Sequence, residues 1–132
     1  MILFLDDEEQ RMKPYVEMCI FEGLDVKPIF DPEQAWRLLE ENAGEVELLI
    51  LDVMMPSGDR FDRPRALDGI RTGVVFLEEM RKKWVSLPVL LFTSSNDKHL
   101  DAIAQQYPRT YLERKQAVLP DQLPNLIKSI IR

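Results

Sequence analysis

Four clusters of polar residues stand where an apolar run of this chain ends. Asp6-Asp7-Glu8 follow Ile2–Leu5, Asp52 follows Leu48–Leu51, Thr93-Ser94-Ser95 follow Val89–Phe92, and Arg114-Lys115 come soon after Thr110–Leu112. A carboxylate at the mouth of a buried strand is costly unless a metal, a cation or a reaction compensates it. Asp6, Asp7 and Asp52 gathered at one edge would repel each other, and a hard divalent cation is the simplest neutraliser. Magnesium suits such an edge, because it takes one or two carboxylates, several waters and a phosphoryl oxygen. In that setting Asp52 can attack a phosphoryl group and become an aspartyl phosphate. The metal and Lys115 would neutralise the equatorial oxygens, and the Thr93 hydroxyl would donate a hydrogen bond to one of them.

Positioning these groups requires strands that end together. Apolar runs alternate with helix-period patterns, the signature of βαβ units and a parallel sheet covered on both faces. Strands are expected at Ile2–Leu5, Leu24–Phe30, Val46–Leu51, Val89–Phe92 and Thr110–Leu112. The first, third and fourth are almost wholly apolar and should be central. Five helices are expected between and after them. Met12, Val16, Cys19 and Ile20 line the first, in which Pro14 is tolerable only in the first turn. Asp31, Pro32 and Gln34 read as a capping-box variant opening the second, which contains Trp36, Leu38 and Leu39. Phe76, Leu77, Met80 and Trp84 mark the third, Leu100, Ile103, Ala104 and Tyr107 the fourth, and Leu123, Leu126, Ile127, Ile130 and Ile131 the fifth. Ligands of doubly wound sheets bind outside the carboxyl ends of the strands, where the polar clusters lie.

The bulk properties narrow the function classes. A chain of 132 residues fits one domain, expected to span 1–132 with no linker to a second. One cysteine, Cys19, excludes an internal disulfide and reads as a small core hydrophobe. With no signal peptide and no apolar run long enough to span a bilayer, a soluble cytoplasmic protein is expected. The net charge of -6 argues against a nucleic-acid surface. His99 is the one histidine, so no histidine-based triad can be built, and Trp36 and Trp84 read as packing residues.

Asp6-Asp7-Glu8 after a first strand, Asp52-Val53-Met54-Met55-Pro56 after a third, Phe92-Thr93-Ser94 at a fourth and a lysine after a fifth together resemble the receiver domain of two-component response regulators. The resemblance covers nearly the whole chain. It implies a flavodoxin-like fold with strand order 2-1-3-4-5 and five helices. Asp52 would be the phosphoacceptor, Asp6 and Asp7 the acids that bind magnesium, and the Met54 carbonyl a further metal ligand. Thr93 would be the switch hydroxyl and Lys115 the phosphate-pairing lysine. The donor would be a sensor histidine kinase, a phosphotransfer protein or a small acyl phosphate. Output would pass to a downstream protein through the last two helices and strand five, a face through which homodimers also form.

Two departures stand out. The family's lysine usually precedes a proline and follows an aromatic by three residues, whereas Lys115 precedes Gln116, and Tyr111 lies three before Arg114, which makes Arg114 a rival. Residues 57–71 are an insertion ahead of Thr72-Gly73, containing Arg60, Arg63, Arg65 and Arg71, one of which is expected to contact the phosphoryl group or a partner. The departures motivate an alternative, a pseudo-receiver that binds proteins without phosphate. A haloacid dehalogenase-type phosphatase would carry a second aspartate where Met54 stands.

Overall fold

The computed structural model describes residues 1–56, 66, 69 and 71–132. Its strands are β1 (Ile2–Leu5), β2 (Val26–Ile29), β3 (Leu48–Leu51), β4 (Val89–Thr93) and β5 (Thr110–Arg114). They pair in parallel as β2-β1-β3-β4-β5, with Leu5 opposite Leu51, Leu51 opposite Leu91 and Leu91 opposite Leu112. The three apolar strands β1, β3 and β4 occupy the centre, and every residue in them is buried. Among the described residues five α-helices cover the sheet: α1 (Glu9–Phe21), α2 (Pro32–Asn42), α3 (Thr72–Arg81), α4 (Leu100–Gln105) and α5 (Leu123–Ile131).

Alternation along the strands splits the core in two. Leu3, Leu5, Leu49, Leu51, Val89 and Leu91 pack against α2, α3 and α4. Ile2, Phe4, Leu48, Ile50, Leu90 and Phe92 pack against α1 and α5. Both tryptophans are packing residues, with the Trp36 ring edge-on to Phe76 and to Trp84. Cys19 is fully buried in the second cluster, and burial pushes its thiol up to about 11.

Several sequence expectations need correction. Strand β2 is shorter than expected because only Val26–Ile29 pairs with β1, and Phe30 is exposed. Strand β3 likewise begins at Leu48. Strand β5 runs on through Glu113 and Arg114, polar residues that extend it because they pair with Phe92 and Thr93. Pro14 lies inside α1, beyond the first turn, and Ile20 points outward at 56% exposure. Pro28 within β2 is accommodated because β2 is an edge strand. The Asp31 side chain does cap α2, but it accepts from the Glu33 amide at 3.1 Å, one residue earlier than a capping box would have it. Trp84 and Tyr107 fall just past the ends of α3 and α4 and still pack on the core. The fifth helix opens, as Pro120 and Asp121 suggest, with a 3-10 turn at Pro120–Gln122. Most of the 57–71 insertion, including Arg60, Arg63 and Arg65, lies outside the described residues.

The division of the core has a direct test. Truncating wholly buried Ile50 to alanine is expected to cost about 2–5 kcal/mol. Ile20→Ala on the outer face of α1 should change stability by less than about 0.5 kcal/mol. Denaturant unfolding of the two variants checks both values.

Candidate functional site

The parallel ladder runs one residue past each central strand and sets two acids side by side. The Asp6 amide donates to the Ile29 carbonyl and the Asp52 amide to the Leu5 carbonyl, each at 3.0 Å. Asp6 is fully buried and Asp52 is 2% exposed. Asp6 Oδ1 accepts from the Glu8 amide at 2.9 Å, a turn that swings residue 8 back over residue 6. Carboxylate oxygens of Asp6, Glu8 and Asp52 consequently lie within 4.8 Å of one another. Glu8 also pairs with Arg11 at 3.1 Å.

On the other side of Asp52 the chain is pinned by close backbone packing. The Gly73 amide donates to the Val53 carbonyl at 2.9 Å, and the Thr72 hydroxyl donates to the Met55 carbonyl. A Cβ on Gly73 would overlap the Asp52 carbonyl oxygen, so the first turn of α3 can approach the acid only as glycine. Asp52 Oδ1 accepts from the Val53 amide at 2.7 Å, and the Met54 amide stands at 3.4 Å from the same oxygen.

Lys115 completes the cluster from the turn that follows β5. Its Nζ donates to Asp6 Oδ2 at 2.6 Å and to Asp52 Oδ2 at 3.2 Å, with the side chain 16% exposed. The loop that carries it is a 3-10 turn, Lys115–Ala117, held at three points. Tyr15 on α1 donates to the Val118 carbonyl at 2.7 Å, Gln116 Nε2 donates to the Ser94 carbonyl at 3.3 Å, and Arg114 pairs with Thr93 in the sheet. Gln116, where the resembled family has proline, thus ties the loops after β4 and β5 together. The rival cation Arg114 is committed elsewhere: its Nη2 donates to the Asp97 carbonyl at 3.0 Å.

Thr93 is fully buried at the end of β4, and its Oγ1 accepts from the Ser95 amide at 3.1 Å. Its hydroxyl proton is still available for donation. Tyr111 pairs with Leu90, on the α1 and α5 side of the sheet, whereas Leu112 pairs with Leu91 on the α4 side. The residue three before Lys115, sharing the Thr93 face, is therefore Leu112.

No protein-family model matches the chain. Over 66 residues, half of the chain, it is 38% identical to the transcriptional regulatory protein CpxR of Escherichia coli (strain K12), a stretch covering 27% of that protein. Over 93 residues, 70% of the chain, it is 32% identical to CpxR of Klebsiella pneumoniae subsp. pneumoniae (strain HS11286), covering 33% of that protein. The matched stretches thus span a third or less of these curated relatives. Among solved structures, the CheY-like response regulator receiver domain protein of Methanospirillum hungatei JF-1 superposes with a TM-score of 0.77 at 18% identity, over 98% of this chain and 91% of that one. A response regulator receiver domain protein from Clostridium thermocellum gives a TM-score of 0.77 at 22% identity, over 98% and 92%. The chain has the receiver-domain fold.

Within that receiver fold the electrostatics of the edge are those of an under-compensated acid cluster. Burial, then the neighbouring Asp52 charge, raise the Asp6 carboxyl from 3.8 to about 6, although Lys115 opposes the shift. Burial would lower the Lys115 ammonium, but Asp52 and Asp6 outweigh it and the net direction is upward. Asp7 is exposed and outside the close trio, yet partial burial and the Asp52 charge raise its carboxyl too. The donor set is all hard oxygen, with the Lys115 ammonium on Asp6 and Asp52 and the Arg11 guanidinium on Glu8, and it fits a magnesium ion. Glu8 was the residue that sequence reasoning passed over in choosing Asp6 and Asp7. The signal for it was the Asp at position 6, whose side chain can catch the amide two residues on.

A carboxyl raised in the folded state holds its proton more tightly there than in the unfolded chain. Its ionisation therefore opposes folding: the Asp6 contribution to the stability of the metal-free protein is lost as pH rises from about 4 to about 6, and the loss persists above. In chelator, Asp6→Asn should escape this loss and gain on the order of 2 kcal/mol relative to the parent between about pH 4 and about pH 7. Unfolding curves across that range check it, and a pH-independent difference would contradict it.

Proposed function

We propose that the chain is a phosphoacceptor receiver of a two-component system, with Asp52 as the acceptor. The observation that carries this reading is the single ammonium of Lys115 bonded to both Asp6 and Asp52 inside a cluster of three carboxylates. Such a cluster is stable enough to fold but short of positive charge, which a metal ion and a phosphoryl group would meet together. Asp6 and Asp52, with Glu8 or Asp7 and the Met54 carbonyl, would hold the magnesium. Bound there, magnesium would neutralise charge on the phosphoryl oxygens.

The remaining chemistry belongs to this chain's own residues. A carboxylate oxygen of Asp52 attacks phosphorus and forms an O–P bond. The bond from phosphorus to an imidazole nitrogen of phosphohistidine, or to an acyl oxygen, breaks with its electron pair staying on the leaving group. The departing imidazole takes a proton from solvent. Val53 and Met54 amides orient the Asp52 carboxylate. Lys115 pairs with an equatorial oxygen, and Thr93 donates its hydroxyl proton to another. Water later attacks phosphorus, the acyl O–P bond breaks with its electron pair on the Asp52 oxygen, and inorganic phosphate leaves as Asp52 returns to its carboxylate.

The donor would be a sensor histidine kinase, a phosphotransfer protein or a small acyl phosphate, and the output a change of protein contacts. Homodimerisation through α4, β5 and α5 and a cytoplasmic location belong to the same reading. Among the described residues no helix is long and apolar enough to cross a membrane. The pseudo-receiver alternative rested on Gln116 in place of proline and on the 57–71 insertion; the Lys115 ammonium still stands 2.6 Å from Asp6, and most of the insertion lies outside the described residues. No observation favours that alternative.

Incubation with acetyl phosphate and magnesium followed by intact mass measurement tests the proposal. The parent should gain one phosphoryl group, and neither Asp52→Ala nor the parent in chelator should gain any. A folded parent that takes no phosphoryl group from acetyl phosphate or from histidine kinases would overturn it.

A further inference from the structure

The loop between β4 and α4 is a run of tight turns that starts at Thr93. Thr93 Oγ1 accepts from the Ser95 amide at 3.1 Å, Ser95 Oγ from the Asp97 amide at 3.2 Å, and Asp97 Oδ1 from the His99 amide at 2.9 Å. Each side chain catches the amide two residues on, so a displacement at Thr93 is handed along the loop to Asp97.

Asp97 is in turn held from two outside elements. Arg114 of β5, the register partner of Thr93, donates from Nη2 to the Asp97 carbonyl at 3.0 Å. Arg71, the residue before α3, brings Nε to 3.2 Å from Asp97 Oδ2. The two side chains are 28% and 23% exposed, shielded enough for the charges to attract well. The Arg71 Nε is buried, yet its approach to Asp97 lacks the direction of a hydrogen bond. The contact is one of charge, with little geometry to lose when it opens. Since α3 begins against the Asp52 loop, Asp97 joins the acceptor loop, the Thr93 loop and β5 at one point.

We propose that Asp97 is a latch that holds the β4–α4 loop in its unphosphorylated arrangement and so sets how readily Thr93 turns toward a phosphoryl group on Asp52. The proposal rests on the phosphoacceptor reading above. Turning the Thr93 hydroxyl toward Asp52 draws its oxygen from the Ser95 amide, and the loop must then yield at Asp97. Freeing Asp97 from Arg71 lowers the cost of that movement and raises the population ready to bind. Asp97 acts through Thr93 and is a positioning residue.

Asp97→Asn keeps a side-chain oxygen for the His99 amide and removes the charge that Arg71 faces; Arg71→Gln removes the partner. Titration with beryllofluoride and magnesium, a phosphoryl mimic, should show each variant binding roughly fivefold tighter than the parent. The double variant should match either single one, because both break the same contact. In the ligand-free variants, amide hydrogen exchange at Ser95 and Asp97 should quicken by about threefold or more. Unchanged or weaker affinity in the single variants, additive effects in the double, or unchanged exchange would each overturn the latch. A parent that binds no beryllofluoride would overturn the phosphoacceptor reading itself, and the latch with it.

Discussion

One ammonium, that of Lys115, makes it possible for the carboxyl edge of this sheet to bury acids. Asp6 is wholly buried and Asp52 nearly so, and both give an oxygen to the same Nζ. Removing one member of a buried charged cluster leaves the others uncompensated, which typically costs about 3–5 kcal/mol. Even with Lys115 present, Asp6 is driven up to about 6, so the compensation is partial. The site is folded and short of positive charge at once, a condition that gives a cation and a phosphoryl group something to supply.

Much of the fold serves to place that ammonium. The ladder between β4 and β5 carries the chain to Arg114, and the Tyr15 hydroxyl holds the turn beyond it against α1. The Tyr15 ring also packs edge-on against Phe92, with centroids 5.2 Å apart, so the α1 and α5 side of the core supports the lysine loop directly. On the opposite side, α3 begins in contact with the Asp52 backbone, which only Gly73 permits. Gly69, at φ 102, approaches the Met55 carbonyl in the same region and its own carbonyl accepts from the Met55 amide at 2.9 Å. The acceptor is thus gripped by backbone on one side and by charge on the other.

The central strands were legible because Ile2–Leu5, Leu48–Leu51 and Val89–Phe92 are apolar on both faces, as buried parallel strands must be. Strand ends were less so, since pairing decides them: Glu113 and Arg114 are polar and join β5 only because Phe92 and Thr93 lie opposite. Pro14 shows tertiary packing overriding local preference, for α1 continues through it with Met12, Val16 and Cys19 buried. At the site, spacing brought Asp6, Asp52, Thr93 and Lys115 to one edge, and they meet there or border it. Glu8 needed knowledge of a side-chain turn at Asp6, and settling Lys115 against Arg114 needed the place where β5 ends and the turn after it begins. Arg114, the last residue of β5, turns toward the β4–α4 loop, whereas the 3-10 turn that follows carries the Lys115 ammonium to the acids, as its distance along the chain from Thr93 suggested.

Calorimetric titration of the chelator-treated parent and of Asp52→Asn with magnesium, near neutral pH, tests the under-compensated cluster most directly. Saturable binding at one site is expected in the parent and affinity at least about tenfold weaker in the variant, a difference of about 1.4 kcal/mol. Absence of binding to the folded parent, or equal affinity in the two proteins, would contradict it.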